Sequence, residues 1–361
     1  MTYRNNEPYN DLPHLPPRAE VESRAVLRRV ASAARAVEAL RGAGHLVPNQ
    51  AILINAIPLQ EARLSSEIEN IVTTQDALYR AAAGVEGPVD PAAREVLRYR
   101  TALRHGYEAL AAGRRIDIDL MIEICSTILG GDAALRDEEH ILIEDKAREM
   151  AVYTPPRGRE RIVALLWNLV EFLQAPGDMD PLVRLAVAHY QFESIHPFHD
   201  GNGRTGRVLN VLYLVQAGLL EIPVVYLSRY LIQNKAEYYR LLRAVTEEGR
   251  WEAWLLYMLT AIEETARWTT GRIEAIRALM DSTEAAARDF LPRTADSHRL
   301  TELIFTEPYC RVRDVVDAGL AERKAAGRYL QTLESAGVLA GDIAGRERIY
   351  TNSALVELLS S

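Results

Sequence analysis

The chain has 361 residues, of which 48% are apolar and 25% charged, proportions that exclude a disordered or fibrous protein. Its 42 Lys and Arg face 50 Asp and Glu, a net charge of −8, so no global positive field draws in nucleic acid or anionic lipid and any polyanion needs a local site. Cys125 and Cys310 allow at most one bridge, residues 1–17 show no secretory pattern, and the longest apolar run, 208–220, is too short for a bilayer span, which together point to a cytoplasmic protein without a membrane partner.

Pro8, Pro13, Pro16 and Pro17 predict an extended arm, because each fixes φ and disfavours helix before it. Apolar residues at helical spacing then predict a helix over 21–40, closed by Gly42 and Gly44, with a turn at Pro48 and Asn49. Further helices are expected over 60–79, 91–112 and 117–129. The segments 141–143 and 151–153 flank a charged turn and suggest a short hairpin. Helical periodicity resumes over 161–173, 181–195, 204–220, 234–245 and 252–280. Past Pro292, two helical patterns at 311–318 and 322–336 have the spacing of a helix-turn-helix, and 338–340 with 348–351 bracket Gly341 and Gly345 as a wing. The expected fold is mainly α.

The stretch from His196 to Arg207 carries the chemistry: His196, Phe198, Asp200, Gly201, Asn202, Gly203, Arg204 and Arg207 lie between two apolar helices. Glycines allow backbone turns that aim successive N–H groups at one point, and a helix start adds its dipole, so the segment reads as an anion cradle. Arg204 and Arg207 share a helix face and can reach one polyphosphate. Asp200 beside that cradle suits Mg²⁺, and His196 can take a proton near neutral pH. The two arginines are expected to keep its imidazole neutral by like-charge repulsion. This set points to phosphoryl or nucleotidyl transfer. No Walker loop occurs, and Gly201, Gly203 and Gly206 match the dinucleotide fingerprint only in letters, since a helical stripe precedes them.

The stretch resembles the Fic family signature HxFx(D/E)GNGRxxR at every specified position. Upstream, Ser65, Glu69 and Asn70 resemble the inhibitory motif (S/T)xxxE(G/N), and its N-terminal place is similar to class II of that family. The resemblance implies a Fic-type helical core with a β-hairpin flap, an N-terminal helical inhibitory region and a C-terminal winged helix. The divisions expected are 1–90, 91–290 and 291–361. It also implies transfer of AMP from ATP to a hydroxyl of a target protein. His196 would be the base and Phe198 the loop anchor. Asp200 would hold Mg²⁺, Gly201, Asn202 and Gly203 the anion, and Arg204 and Arg207 the distal phosphates. Asn234, Tyr238 and Tyr239 fall where relatives line the adenosine pocket. Glu69 would pair with Arg207 and inhibit.

Other readings compete. AMP removal or use of another nucleotide would fit the same motif. His199 and Asp200 spell the pair found in metal-dependent phosphohydrolases, but that site would leave the glycine cradle without a purpose. His189 faces an apolar stripe and reads as a hydrogen-bonded core histidine. A non-enzymatic alternative is a DNA-binding regulator using Arg323, Lys324 and Arg328. Against it, residues 296–361 hold eight basic and ten acidic side chains, net −2, a poor footprint for DNA. A homodimer contact or a hold on a protein partner suits this segment equally well.

Overall fold

The computed structural model describes residues 4–82, 84, 90–137, 143–145, 150–177, 179–344 and 347–360. The arm is irregular rather than extended, with turns closed by the Glu7 N–H on the Arg4 carbonyl and the Leu12 N–H on the Tyr9 carbonyl, and its Leu12 and Leu15 are buried. Asn168 fixes it by accepting from the Leu15 N–H at 2.7 Å and donating to the Leu15 carbonyl at 3.0 Å. The first helix, α1 (Arg24–Ala43), starts later than its periodicity implied because Ser23 caps it.

The second helix departs from expectation. α2 runs Gln50–Ile68, capped by Asn49 and with Pro58 inside it, and α3 is a separate helix, Gln75–Ala82. The single helix expected over 60–79 is broken at Asn70, whose φ of 64° is left-handed. α4 (Pro91–Ala111) and α5 (Ile118–Leu129) follow, with Asp90 and Asp117 as N-caps. The hairpin forms from β1 (Ile143–Asp145) and β2 (Met150–Tyr153), antiparallel with Ile143 opposite Tyr153. Its first strand begins at Ile143, the last residue of the 141–143 expected, and continues to Asp145, while positions 141 and 142 are outside the described residues.

The centre of the molecule is α6 (Arg159–Gln174), α7 (Pro181–Ile195) and α8 (Asn202–Gln216). Nearly every residue of α7 from Leu182 to Ile195 is buried, the polar Arg184, His189, Gln191 and Ser194 included, because neighbouring elements enclose the helix on all sides. α9 (Leu227–Gln233) and α10 (Lys235–Glu248) lead into α11 (Trp251–Phe290), 40 residues that span the molecule and pack on α1, α7 and α9. The C-terminal part is α12 (Ser297–Thr306), β3 (Tyr309–Arg311), α13 (Val312–Asp317), α14 (Arg323–Ser335), β4 (Ala340–Ala344), β5 (Glu347–Thr351) and α15 (Ser353–Ser360). Its antiparallel sheet has the order β3-β5-β4, an arrangement compatible with a winged helix. This part meets α3, where Tyr79 and Tyr309 stack at 5.6 Å and Arg80 pairs with Asp342 at 2.6 Å. Cys125 and Cys310 are buried free thiols.

Candidate functional site

α7 ends at His196, which adopts φ 48° and ψ 61° as the left-handed C-cap. A non-glycine residue rarely sits there, so the surroundings must hold it. Arg136 does so: its Nε donates to the His196 carbonyl at 2.6 Å, and a terminal nitrogen donates to the Ile195 carbonyl at 2.9 Å. Arg136 is fully buried and was not singled out in the sequence, where nothing in its neighbourhood marks it.

The loop then closes on itself. Asn202 accepts from the Phe198 N–H at 2.8 Å and donates to the Phe198 carbonyl at 2.7 Å, while the Phe198 ring is buried. Gly201, at φ 79°, is the N-cap of α8 and offers no side chain to the helix start. The first-turn N–H groups of α8 therefore have no intrahelical acceptor, which leaves them free to hold an anion. Asp200 accepts from the Gly201 N–H at 2.6 Å and is 75% exposed at the cradle's mouth.

The two arginines are both buried and both engaged. Arg204 donates to Glu95 of α4 at 3.1 Å and lies 3.6 Å from Asp200. Arg207 donates from Nε to the Ser65 hydroxyl at 2.7 Å, and from a terminal nitrogen to the Ser65 carbonyl at 3.0 Å and to Glu69 at 2.8 Å. Glu69 lies so close over the cradle that a side chain at Gly203 would collide with its Oε1. Burial pushes the Glu69 carboxyl up, but Arg207, Arg204 and Lys235 outweigh it and hold the group below the usual carboxylate range. Asn70 ends α2 in the left-handed conformation, and the Ile71 N–H returns to the Ser66 carbonyl at 3.0 Å. Lys235 adds a bond to the Ile68 carbonyl at 2.6 Å.

Burial first, and the Arg136 guanidinium second, push the His196 imidazole down to about 4. The ring is thus neutral, as expected, but Arg136 supplies the repulsion that had been assigned to Arg204 and Arg207. Two carboxyl groups that the sequence reading passed over stand close by. Glu193, one turn before His196, is raised to about 7 by burial, and its Oε1 has no hydrogen-bond partner among the described residues. Glu61 is fully buried on α2, accepts from the Ser228 N–H at 3.0 Å and from its hydroxyl at 2.5 Å, and is also raised to about 7 by burial. Only their helical spacing from His196 and Ser65 could have pointed to them.

His189 is a core histidine: Nε2 bonds the Tyr238 hydroxyl at 2.8 Å and the ring stacks on Trp254. Burial pushes it down to about 3. Tyr238 is accordingly buried, whereas Tyr239 is 42% exposed. Asn234 joins α9 to α10 and donates to the Tyr230 carbonyl at 3.0 Å. Among the described residues, no cluster of three or more His, Cys, Asp or Glu side chains could hold a metal ion by itself.

A helix ending in a strained histidine, a glycine cradle with two arginines, and a second helix laying a carboxylate over that cradle together define the class of site. Three family models match the chain in succession: "Fic/DOC family N-terminal" over residues 27–108, "Fic/DOC family" over 115–214, and "Protein adenylyltransferase SoFic-like, C-terminal domain" over 279–355. The chain belongs to the Fic/DOC family. It is 33% identical over 129 residues to protein adenylyltransferase fic-1 of Caenorhabditis briggsae, covering 34% of this chain and 23% of that one. It is 26% identical over 212 residues to protein adenylyltransferase Fic of Drosophila persimilis, covering 56% and 39%. The match thus spans less than half the length of these relatives. A Fic family protein from Desulfovibrio desulfuricans shares the fold at TM-score 0.59 and 18% identity, over 94% of this chain and 98% of that one. Fic-1 from C. elegans does so at TM-score 0.54 and 24% identity, over 70% and 74%.

Proposed function

We propose that the chain is a protein adenylyltransferase, transferring AMP from ATP to a hydroxyl side chain of a target protein, and that Glu69 holds it inhibited. The observation that carries this reading is the pairing of Arg207 with Ser65 and Glu69 directly over the α8 amides. A cation placed for a distal phosphate is occupied by a tethered anion, so the triphosphate cannot take its productive pose. The similarity to proteins named adenylyltransferases, and to a C-terminal domain of that name, supports the same reading.

In this reading the neutral His196 takes the proton of the target hydroxyl as its oxygen bonds to the α-phosphorus. The bond from that phosphorus to the β-phosphate oxygen breaks, and pyrophosphate leaves. The amides around Gly201, Asn202 and Gly203 hold phosphate charge, with Arg204 and, once released, Arg207 beyond them. Phe198 keeps the loop in register from the core. Asp200 fits a Mg²⁺ site, since its exposed carboxylate is a hard oxygen donor beside the place where phosphate oxygens would complete the shell. Bound there, the ion would neutralise phosphate charge. Asn234 and the exposed Tyr239 border the adenosine side, while Tyr238 acts from behind through its bond to His189. The hairpin β1–β2 offers main-chain groups to an extended target segment.

The test uses ATP labelled at the α-phosphorus, added with Mg²⁺ and a cell lysate to Glu69→Gly and to the double variant Glu69→Gly, His196→Ala. Label should enter protein with the first and not with the second. Equal incorporation by both, or none by either, would overturn the reading.

A further inference from the structure

A cleft of about 550 Å³ opens between the N-terminal half of α2, α4 and the α12–β3 junction. That volume lies in the range of small-molecule sites. Ile54, Pro58, Leu103 and Pro223 supply apolar wall. Pro58 inside α2 has no N–H, so the Ile54 carbonyl lacks its i+4 donor in a helix that faces the cleft.

The charges lining the cleft divide into two kinds. Arg104 pairs with Glu108 at 2.7 Å and His105 with Glu123 at 2.9 Å, so these are matched locally. Arg100 and Glu307 are not: among the described residues neither has an opposite charge within 4.0 Å. Each feels the other only at longer range. Partial burial lowers the half-buried Arg100 guanidinium, and partial burial with Asp314 nearby raises the Glu307 carboxyl, which keeps access to solvent at the cleft rim. A lone anion here would be repelled by Glu307, and a lone cation by Arg100. A neutral hydrocarbon would use neither charge.

We propose that this cleft binds a small zwitterion with an apolar side chain, the chemistry of a free hydrophobic α-amino acid. Arg100 would take its carboxylate, and Glu307 with the Ile54 carbonyl its ammonium. The site is separate from the nucleotide cradle, and nucleotide plays no part in its test.

The probe is L-leucine, titrated calorimetrically into the full chain, with 4-methylpentanoate and isoamylamine as analogues lacking one charge each. Saturable binding of L-leucine is expected, with each analogue weaker by about tenfold or more, the cost of one charge-assisted contact. Arg100→Gln and Glu307→Gln should each weaken L-leucine by a similar factor, and Arg204→Ala should not. Since Glu307 is exposed, its variant remains informative if Arg100→Gln fails to fold. No saturable heat up to about 10 mM L-leucine, unchanged binding in both charge variants, or an analogue equal to L-leucine would overturn the proposal.

Discussion

The proposed role of His196 requires a neutral ring next to charged phosphates, and the fold favours one by partly burying the ring and placing Arg136 behind the loop. The sign of the pH effect follows. A histidine at about 4 stays unprotonated through the neutral range, so kcat/KM of the Glu69→Gly protein should show no loss from this group between about pH 5 and about pH 8. A fall of about tenfold per unit below pH 6.5, the profile of an ordinary histidine, would contradict the burial argument. His196→Ala should abolish transfer while ATP affinity by calorimetry stays within a few-fold, and residual transfer in the purified variant would remove the histidine from its role. Arg204→Ala and Asp200→Ala should act on binding instead. Losing the charge-assisted bonds of Arg204 amounts to about 1.5–3 kcal/mol, roughly ten- to hundredfold in ATP affinity, and loss of Asp200 should raise the Mg²⁺ requirement. Unchanged ATP and Mg²⁺ titrations in both would mean the cradle is misassigned. These residues were legible because they lie in one short motif. Arg136, Glu95 and Glu193 were not, since they reach the site from other places in the chain or from a helix face that spacing alone does not single out.

α2 shows what periodicity conveys and what it hides. Its apolar pattern is real, but Pro58 lies inside it, and the helix expected from periodicity begins only at 60, ten residues after α2 starts. Asn70 acts in the opposite direction: the pattern runs on past it, and only the left-handed φ separates α2 from α3. α9, of seven residues, is too short for a periodic signal. α5 and α7 were legible through long apolar stripes, and in the structure Asp117 and Asp180 cap their first turns. The stop at Asn70 is also what places Glu69, which gives a prediction at this scale. Asn70→Gly keeps the left-handed turn, whereas Asn70→Ile puts a β-branched residue at φ 64°, a strain of roughly 1–3 kcal/mol. The glycine variant should transfer AMP at the wild-type rate, and the isoleucine variant several-fold faster because Glu69 is less well held. Equal rates in the two would detach Asn70 from inhibition.

Across the whole molecule, the C-terminal part packs on α3 through Tyr309 and Arg80, close to the helix that carries Glu69. Arg323, Lys324 and Arg328 are exposed, yet Arg348 of β5 pairs with Glu334 at 2.5 Å and residues 296–361 are net negative. Gel-shift assays on random duplex DNA should accordingly show no salt-dependent complex near physiological ionic strength, and a strong one would restore a DNA-directed role. No described helix is long and apolar enough to cross a membrane. The central claim is that one tethered carboxylate restrains an otherwise assembled site. An ion pair worth about 1.5–3 kcal/mol leaves roughly 1–10% of molecules competent. The direct measurement is mass spectrometry of AMP added to the protein itself during incubation with ATP and Mg²⁺, followed over time for wild type, Glu69→Asp and Glu69→Gly. The account predicts an initial rate about tenfold or more above wild type for Glu69→Gly, with Glu69→Asp between them because its shorter arm reaches Arg207 less well. A Glu69→Gly rate no higher than wild type, with circular dichroism unchanged, would contradict it.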